Sequence, residues 1–367
     1  MPDVDIAILG GGCAGLSLAA RLADTGRSFT VIEPRAAYSD DRTWSFWRTA
    51  PDPFVDCVQA TWTAWTVEGP GGTVHRSSRS LPYQTVSGAA FYDRARHLID
   101  GAANGTLALR TSAGDVTATG SGHRVDTDRG ALTARHVFDA RPPTRRPAYG
   151  QFFLGREIAT DRAVFDPDTV PLMHFRRGYS RGVDFLYVLP FARDRALVEV
   201  TSFAPAPPAR AVFEDWLDAE MAALGADGGE VLREEAGALP MEAGFADPPQ
   251  PGITRIGLGG GAARPSTGYA FARIQAQSDA LARALTYGAP PRVPPDPAMT
   301  RFMDRVFLQV LAAAPDRGPA LFETLFRRAP ADRLERFLSG STRTADRLSV
   351  MASLPPLPFL RAAARPA

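Results

Sequence analysis

The chain has 367 residues, and its 41 basic residues, all of them arginine, balance 40 acidic residues to leave a formal net charge of +1 at pH 7. The absence of lysine excludes a Walker-type phosphate lysine and a Schiff-base lysine, and the balanced charge gives no support to a nucleic-acid-binding protein. The hydrophobic fraction of 45% is that of a globular protein, and the length predicts about two domains.

The N-terminal residues and the cysteines indicate the compartment. The chain begins Met-Pro-Asp-Val-Asp, without a basic region or an uninterrupted apolar run, so no signal peptide is predicted. No apolar run reaches the roughly 18 residues that a membrane span requires. Two cysteines, Cys13 and Cys57, are too few for a disulfide framework. We therefore predict a cytoplasmic protein.

The first 33 residues predict a βαβ unit. Val4–Leu9 is a short apolar run typical of a buried strand, and the apolar residues of Ala14–Leu22 have helical spacing. Gly26 is the predicted C-cap of that helix. Phe29–Ile32 is a second apolar strand, and Glu33 follows it directly.

A glycine-rich turn joins the first strand to the helix. Gly10, Gly12 and Gly15 fit the pattern G-x-G-x-x-G, with Glu33 eighteen positions after the last glycine. The first glycine turns the chain, the second lets backbone N–H groups approach a pyrophosphate, and the third lets the helix pack on the strand. The helix N-terminus favours phosphate, and a carboxylate at Glu33 suits a ribose 2′-hydroxyl, which FAD and NAD have. The alternative is a glycine-rich turn without a ligand.

Strand and helix patterns follow one another through the middle of the chain. Aromatic and β-branched residues alternate over 61–67, and apolar runs at 185–189 and 196–200 also predict strands. Helical spacing predicts helices over 91–99 and 211–224.

A second strand–glycine–helix unit comes late in the chain. Ile253–Leu258 is an apolar strand that leads into Gly259 and Gly260, and helical spacing covers 272–285. Such a late unit approaches the flavin end of the cofactor in many flavoproteins, and a plain NAD dehydrogenase does not need it. It therefore favours FAD. Beyond a proline-rich linker the chain is predicted to be mostly helical from 299 onwards.

Further segments make the chain similar to one known family, the bacterial lycopene β-cyclases, over nearly its whole length. The position before Thr-Trp-Ser-Phe is more often histidine in that family, where this chain has Arg42. The segments that carry the resemblance are Arg42–Trp47, Leu197–Thr201, Leu232–Pro240, Pro265–Tyr269, Phe337–Gly340 and Asp346–Leu348.

The resemblance implies an α/β fold with a Rossmann-type FAD-binding domain of the flavoprotein hydroxylase-like fold, a β-sheet substrate domain and C-terminal helices. The late Gly-Asp motif of that wider group lacks its aspartate here, as in the cyclases. The predicted domains are 1–80, 92–145 and 250–290 for FAD, 81–91 and 146–249 for the substrate, and 291–367 for the C-terminal helices.

The implied enzyme is an intramolecular lyase that closes each linear ψ end of lycopene to a β-ionone ring, giving γ-carotene and then β-carotene without net redox change. FAD would act in its reduced form, with NAD(P)H as the reductant. Alternatives are a FAD-dependent hydroxylase, a prenyl reductase of the same fold, and a nucleotide-binding module without catalysis. The implied cofactor contacts are Gly10, Gly12, Gly15, Glu33, Arg42, Gly259, Gly260 and Gly268.

Such a cyclisation begins with a proton for the terminal double bond. The acid should be a carboxyl group that an apolar pocket keeps protonated, because burial disfavours the charged form. The resemblance assigns this role to Glu199, which lies in an apolar run. The pattern alone also fits an outward-facing residue of an alternating strand. Whether Glu199 or the reduced flavin delivers the proton stays open.

The resulting carbocation needs dry surroundings and negative potential. An anionic reduced flavin would supply the potential, and each aromatic face would add about 0.5–2 kcal/mol. Trp44, Phe46, Trp47 and Tyr269 are the predicted cation-stabilising residues, with ordinary core packing as the alternative. The five histidines have no ligand spacing, so no metal is predicted.

Other charged residues have simpler interpretations. Glu234 and Glu235 are predicted to be a solvated pair or a helix–strand junction contact. Asp139 is predicted to be structural, with contact to FAD or a second acid–base site as the alternative. Arg42 and Arg264 suit the pyrophosphate or the flavin, with a surface position as the alternative.

Lycopene is a hydrocarbon of the bilayer, so the enzyme would need to dock on a membrane. Residues 299–367 contain 11 arginines and 6 acidic residues, beside apolar stripes at 302–311 and 321–326. Basic amphipathic helices can lie among lipid headgroups, and we predict peripheral membrane association. The alternative is that these stripes pack on the protein's own core.

Overall fold

The computed structural model of the protein describes residues 2–176, 181–248 and 250–364, so the last residues of the predicted helical region, 365–367, lie outside the described part. The helices of the described part are α1 (Cys13–Leu22), α2 (Gly88–Asp100), α3 (Arg210–Ala223), α4 (Phe271–Thr286), α5 (Ala298–Ala313), α6 (Gly318–Arg328), α7 (Ala331–Leu338), α8 (Thr344–Ser353) and α9 (Pro356–Ala363). The strands are β1 (Val4–Leu9), β2 (Phe29–Ile32), β3 (Thr43–Trp47), β4 (Val58–Trp62), β5 (Ala64–Gly69), β6 (Gly72–Ser77), β7 (Tyr83–Ser87), β8 (Gly105–Ala108), β9 (Ala113–Thr119), β10 (Gly122–Thr127), β11 (Gly130–Asp139), β12 (Gly150–Ala159), β13 (Thr169–His174), β14 (Val183–Ala192), β15 (Arg195–Ala204), β16 (Glu230–Pro240) and β17 (Ile253–Arg255).

The first sheet contains the predicted βαβ unit. Its order is β8-β2-β1-β11-β10-β9, with β17 paired to β11, and the strands from β8 to β11 run parallel. The helix predicted at its start is confirmed, but it ends at Leu22, and Gly26 takes its positive φ of 69° in the following turn. The late strand is shorter than predicted, because the chain turns into a 3-10 helix at Gly257–Gly260 after β17.

The second sheet has the order β16-β12-β15-β14-β13-β5-β6. The single alternating run predicted at 61–67 is two strands, because the chain leaves β4 at Trp62 and enters β5 at Ala64. β4 and β3 both pair with β7 in a separate three-stranded sheet of order β3-β7-β4, whereas β5 and β6 extend the second sheet. Strand pairing therefore places 64–77 with the second sheet, although the predicted FAD domain extends to residue 80.

Two cores cover the faces of the second sheet. Trp216 and Leu217 of α3 pack with Val198 and Val200 on one face. On the other face, Leu197 packs in a core shared with the C-terminal helices. Both faces of β15 are consequently buried, which removes the alternation expected of a half-exposed strand.

The apolar stripes of the C-terminal helices face inward. Val306 and Leu311 of α5, and Phe322 and Phe326 of α6, are buried in the core beneath the second sheet. For these residues packing on the protein's own core is the correct interpretation, and they do not form a lipid-facing surface. No helix among the described residues has the length and apolar character to cross a membrane.

Candidate active site

The glycine-rich turn packs tightly against β1 and leaves open space at the N-terminal end of α1. Gly10 has a φ of 97°, which favours glycine, and a Cβ at Gly15 would overlap the carbonyl oxygen of Gly10. A Cβ at Gly12 would meet no atom within 4 Å, so open space lies at the N-terminus of α1. The first amides of a helix have no intrahelical acceptor, and these amides could therefore bind an anion in that space.

Glu33 lies at the end of β2, and its carboxylate is held against the turn. Its oxygens accept hydrogen bonds from the amide of Gly11 at 2.6 Å and from the Arg35 guanidinium at 2.7 Å. Burial alone would raise the pKa of Glu33, but the hydrogen bonds from Arg35 and Gly11 bring it below its ordinary value. The group is thus ionised at neutral pH, and its contact with a ribose stays a prediction. The sequence analysis did not predict a role for Arg35, although its position two residues after Glu33 was a signal for such a contact.

The late glycines pack against the protein itself. Gly257, with a φ of 67°, would place a Cβ 2.9 Å from that of Ala14, so the late turn meets the start of α1. A Cβ at Gly259 would lie 2.9 Å from an Asp247 oxygen, and one at Gly260 would overlap the Arg255 carbonyl. These contacts explain the glycines by packing, and their approach to a cofactor stays a prediction.

The two predicted arginines differ in their burial and in their partners. Arg42 is mostly exposed and pairs with Asp41 at 3.3 Å. Arg264 is buried, pairs with Asp304 of α5 at 3.2 Å and donates to the Phe337 carbonyl. Arg264 therefore joins its loop to α5 and α7, so the surface interpretation is wrong, and its contact with a pyrophosphate or the flavin stays a prediction.

Two further predicted residues have structural contacts. Gly268 has a φ of 71°, and a Cβ there would overlap the Gln151 side chain of β12. Asp139 is buried and forms ion pairs with Arg141 at 2.7 Å and Arg255 at 2.6 Å, consistent with a structural group.

Glu199 is buried in the second sheet. It lies opposite Tyr187 of β14 and Gly155 of β12, with 7% of its surface exposed, so an outward-facing position is wrong. Burial, reinforced by the nearby carboxyl group of Glu235, raises its pKa to about 8, against the hydrogen bond that the Thr201 hydroxyl donates at 2.7 Å. The carboxyl group therefore keeps its proton at neutral pH.

Glu234 and Glu235 are not the solvated pair that the sequence predicts. Because neighbouring residues of a strand point to opposite faces, Glu234 reaches Arg156 at 3.0 Å, whereas Glu235 is buried on the face of Glu199. Glu235 accepts hydrogen bonds from Arg233 at 2.6 Å and from Thr43 at 2.9 Å. Burial raises its pKa, although Arg233 and Thr43 oppose that change.

Three tyrosines and a tryptophan form what we call the aromatic cluster: Trp47, Tyr83, Tyr187 and Tyr269. The hydroxyls of Tyr83 and Tyr187 lie 3.0 Å apart, and the ring of Trp47 is centred 4.8 Å from Tyr83 and 5.6 Å from Tyr269. Burial raises the pKa of all three tyrosines well above the ordinary value, so the phenols are neutral. Sequence reasoning missed Tyr83 and Tyr187, because strands from two sheets bring them together.

The predicted cation-stabilising residues fall into two groups, because Trp44 and Phe46 lie on the other face of β3 from Trp47. Trp47 and Tyr269 belong to the aromatic cluster. Trp44 and Phe46 point the other way, and their rings lie 5.7 Å and 4.8 Å from that of Phe271, in the core between the first sheet and its helices. Phe46 and Trp47 nevertheless both line one small cavity. Among the described residues no cluster of His, Cys, Asp and Glu could hold a metal ion.

Comparison with known proteins decides the family. The sequence profile of the family described as lycopene cyclase protein matches residues 5–364. The chain belongs to this family. The lycopene β-cyclase of Paracoccus sp. (strain N81106 / MBIC 01143) is 29% identical over 395 residues, which cover 97% of this chain and 95% of that protein. The resemblance inferred from the motifs is thereby confirmed, and the protein is an enzyme of the lycopene cyclase type.

Solved structures confirm the fold class. A geranylgeranyl bacteriochlorophyll reductase-like protein from Thermoplasma acidophilum superimposes with a TM-score of 0.66 at 14% identity, over 98% of both chains. A flavoprotein/dehydrogenase from Cytophaga hutchinsonii gives a TM-score of 0.62 at 12% identity, also over 98% of both chains. The predicted α/β fold, with a Rossmann-type sheet, a second sheet and C-terminal helices, is therefore correct.

Proposed function

We propose that this lycopene cyclase family enzyme closes the linear ψ ends of lycopene to β-ionone rings, giving γ-carotene and then β-carotene, by an acid-initiated cyclisation. The family and the similarity to a lycopene β-cyclase support this substrate. The observation that carries the mechanism is the Glu199 carboxyl group, which is buried opposite Tyr187 with a pKa of about 8.

The cyclisation needs one proton donated and another removed. The protonated Glu199 would donate to the terminal double bond of lycopene, leaving a tertiary carbocation and a Glu199 carboxylate. The neighbouring double bond would supply its electron pair to that cation and close the ring. The Glu199 carboxylate would then take a proton from the carbon adjacent to the new cation, which gives the β ring and restores the acid. Atoms and electrons balance without an oxidant or a reductant, and the product is an isomer.

The aromatic cluster would protect the cation. Neutral phenol and indole rings exclude water and present their electron-rich faces, each worth about 0.5–2 kcal/mol to a nearby cation. Tyr187 lies directly opposite Glu199, and Tyr83 bonds to Tyr187, so this protection starts beside the acid. Trp47 and Tyr269 extend the same surface towards the small cavity.

FAD is the proposed cofactor, with NAD(P)H as its reductant. Glu33 fits a ribose hydroxyl, and the space above Gly12 fits a pyrophosphate at the N-terminus of α1. When bound in its reduced form, FAD would supply negative charge near the reacting end of lycopene. The fold shared with a flavoprotein supports this choice.

Replacing Gly12 with alanine is expected to remove FAD without unfolding the protein. The new Cβ would meet no protein atom within 4 Å but would enter the space assigned to the pyrophosphate. Bound flavin, measured by absorbance of the purified protein, should fall at least about tenfold, a loss of roughly 1.4 kcal/mol. Gly120→Ala is the matched control, because its Cβ is equally unobstructed. Equal flavin content in both variants would contradict the assignment.

Expression in a host that accumulates lycopene tests the proposed function. Pigments separated by retention time and mass should include a product of unchanged mass with closed ring ends. A prenyl reductase would give a product with added hydrogen, and a hydroxylase would add oxygen. Either of these products, or unchanged lycopene beside a folded flavin-bound enzyme, would contradict the proposal.

We also propose that the enzyme works at the cytoplasmic surface of a membrane, where lycopene dissolves. The support is an exposed apolar set on the C-terminal helices, within the region of arginine surplus. A groove with about 1070 Å³ of empty space opens between α5, α6 and α9. The exposed residues are Met299, Phe302, Leu348, Met351, Leu357 and Leu360.

Replacing both Leu357 and Leu360 of α9 with aspartate is expected to release the enzyme from liposomes of anionic lipid. Each leucine is 64% exposed, so the change should leave the core intact. Burial of two such side chains contributes about 3–6 kcal/mol, and co-sedimentation should fall at least about tenfold. Leu232→Asp, at an exposed position of β16, is the control. Equal sedimentation of the wild-type protein with and without liposomes would refute docking.

A further inference from the structure

Glu235 and Glu199 point to the same face of the second sheet, with one strand between them. The strand between them, β12, presents Gly155 opposite both residues. Directly opposite residues in antiparallel strands share a face, so the strand that separates the two carboxyl groups carries no side chain there. A Cβ at Gly155 would lie 3.2 Å from the Cβ of Glu199 and 3.4 Å from its Cγ. The glycine therefore leaves no side chain between the two acids on this face.

The two acids have different partners. An Arg233 guanidinium 2.6 Å from Glu235, together with the Thr43 hydroxyl at 2.9 Å, favours the ionised form of that carboxyl group. Glu199 accepts a hydrogen bond from the neutral hydroxyl of Thr201. The negative charge of one carboxyl group disfavours ionisation of the other, and these contacts favour the charge on Glu235 and the proton on Glu199.

We propose that Glu235 is a positioning residue that keeps Glu199 protonated, because its carboxylate, held by Arg233 and Thr43, places a negative charge across Gly155 from the acid. The inference rests on the proposed function only in assigning the catalytic proton to Glu199. The proximity of Glu235 is also the second cause, after burial, of the raised pKa of Glu199.

Other ionisable groups on this face do not replace Glu235. The phenols of the aromatic cluster are neutral, since burial raises their pKa values. Glu157 is paired with Arg195 at 2.7 Å and with Arg233 at 2.6 Å. Asp40 lies 3.5 Å from Arg233. Glu235 is the carboxylate that the register places across Gly155 from Glu199.

Glu235→Gln tests this role by removing the charge while keeping an oxygen that can accept from Arg233 and Thr43. The protonated carboxyl of Glu199 would be followed by its infrared carbonyl band during a pH titration of the flavin-bound enzyme without lycopene. Glu199→Gln identifies the band. In Glu235→Gln its midpoint should fall by about one pH unit or more, and the alkaline limb of cyclisation should move equally.

Two further variants separate charge from structure. Glu234→Gln makes the same change on the opposite face, beside Arg156, and should leave the midpoint unchanged. Thr43→Val removes a hydrogen bond that favours the ionised Glu235, and should lower the midpoint by a smaller amount. This second variant keeps the test valid if Glu235→Gln does not fold.

The outcomes distinguish the inference from the proposed function. A midpoint in Glu235→Gln equal to that of the wild type would overturn the role of Glu235, even if lycopene is cyclised. A lower midpoint in an enzyme that leaves lycopene unchanged would support the coupling of the two acids and refute the proposed function.

Discussion

Glu199→Gln is expected to lose most cyclisation while still binding FAD. A positioned general acid typically contributes about 10²–10⁴-fold to a rate. Glutamine fills the same volume and can accept the hydrogen bond from the Thr201 hydroxyl, but it cannot donate the proton. The rate of ring formation by the purified enzyme, with lycopene in liposomes, should fall within that range. Flavin content and Tm should stay at the wild-type values.

The control for this variant is Glu220→Gln. Glu220 is also buried, but it lies on α3 beneath the opposite face of the sheet, where its carboxylate accepts a hydrogen bond from the Trp216 indole.

The wild-type rate should also decline as pH rises through about 8, because the raised pKa of Glu199 means that its proton is lost there. A rate that is unchanged in Glu199→Gln would refute its role as the acid.

Among the variants proposed for this protein, Arg264→Met is expected to lower the free energy of unfolding the most. The Arg264 guanidinium and the Asp304 carboxylate are 1% and 2% exposed, and removal of one partner leaves an uncompensated buried charge. Breaking such a pair typically costs about 3–5 kcal/mol. The free energy of unfolding, measured by denaturant titration of the flavin-bound enzyme, should fall by that amount.

The double variant Arg264→Met/Asp304→Leu separates charge from packing. It removes both charges, so it should regain about half or more of the lost free energy, as replaced buried pairs often do. Ser266, which donates to Asp304 at 2.7 Å, loses its acceptor in this variant and limits the recovery. A double variant less stable than Arg264→Met would contradict this explanation of the pair.

Local patterns were sufficient to predict the nucleotide half of the fold. Gly10, Gly12, Gly15 and Glu33 lie within one βαβ unit, where each glycine has a role that depends on its immediate neighbours. The start of the unit is therefore readable from contiguous residues. The late turn was harder, because its glycines pack against residues such as Ala14 that are distant in sequence.

The acid site could be predicted only in part. Both faces of β15 are buried, so the alternation of Leu197–Val200 does not indicate which way Glu199 points. The placement of Glu235 depends on the register of β12 with two other strands, and Tyr83 comes from a separate sheet. Such register is decided by packing across the whole sheet, which one short motif does not encode.

The C-terminal helices also show what a local pattern can and cannot predict. The apolar spacing of 302–311 and 321–326 correctly indicates amphipathic helices, but spacing does not identify what covers the apolar face. The structure shows that the protein's own core covers most of it. The exposed residues have helical spacing too, since Leu357 and Leu360 are three positions apart on α9, so spacing alone does not separate them from the buried ones.

Cyclisation in deuterium oxide by the flavin-bound enzyme, under anaerobic conditions with reduced FAD, tests acid-initiated isomerisation most directly. The Glu199 carboxyl proton exchanges with solvent, whereas the proton lost after ring closure comes from lycopene. The product should therefore carry one solvent deuterium for each ring closed, and the flavin should remain reduced. Ring closure without deuterium, or a product that gains hydrogen as the flavin is oxidised, would contradict the proposed mechanism.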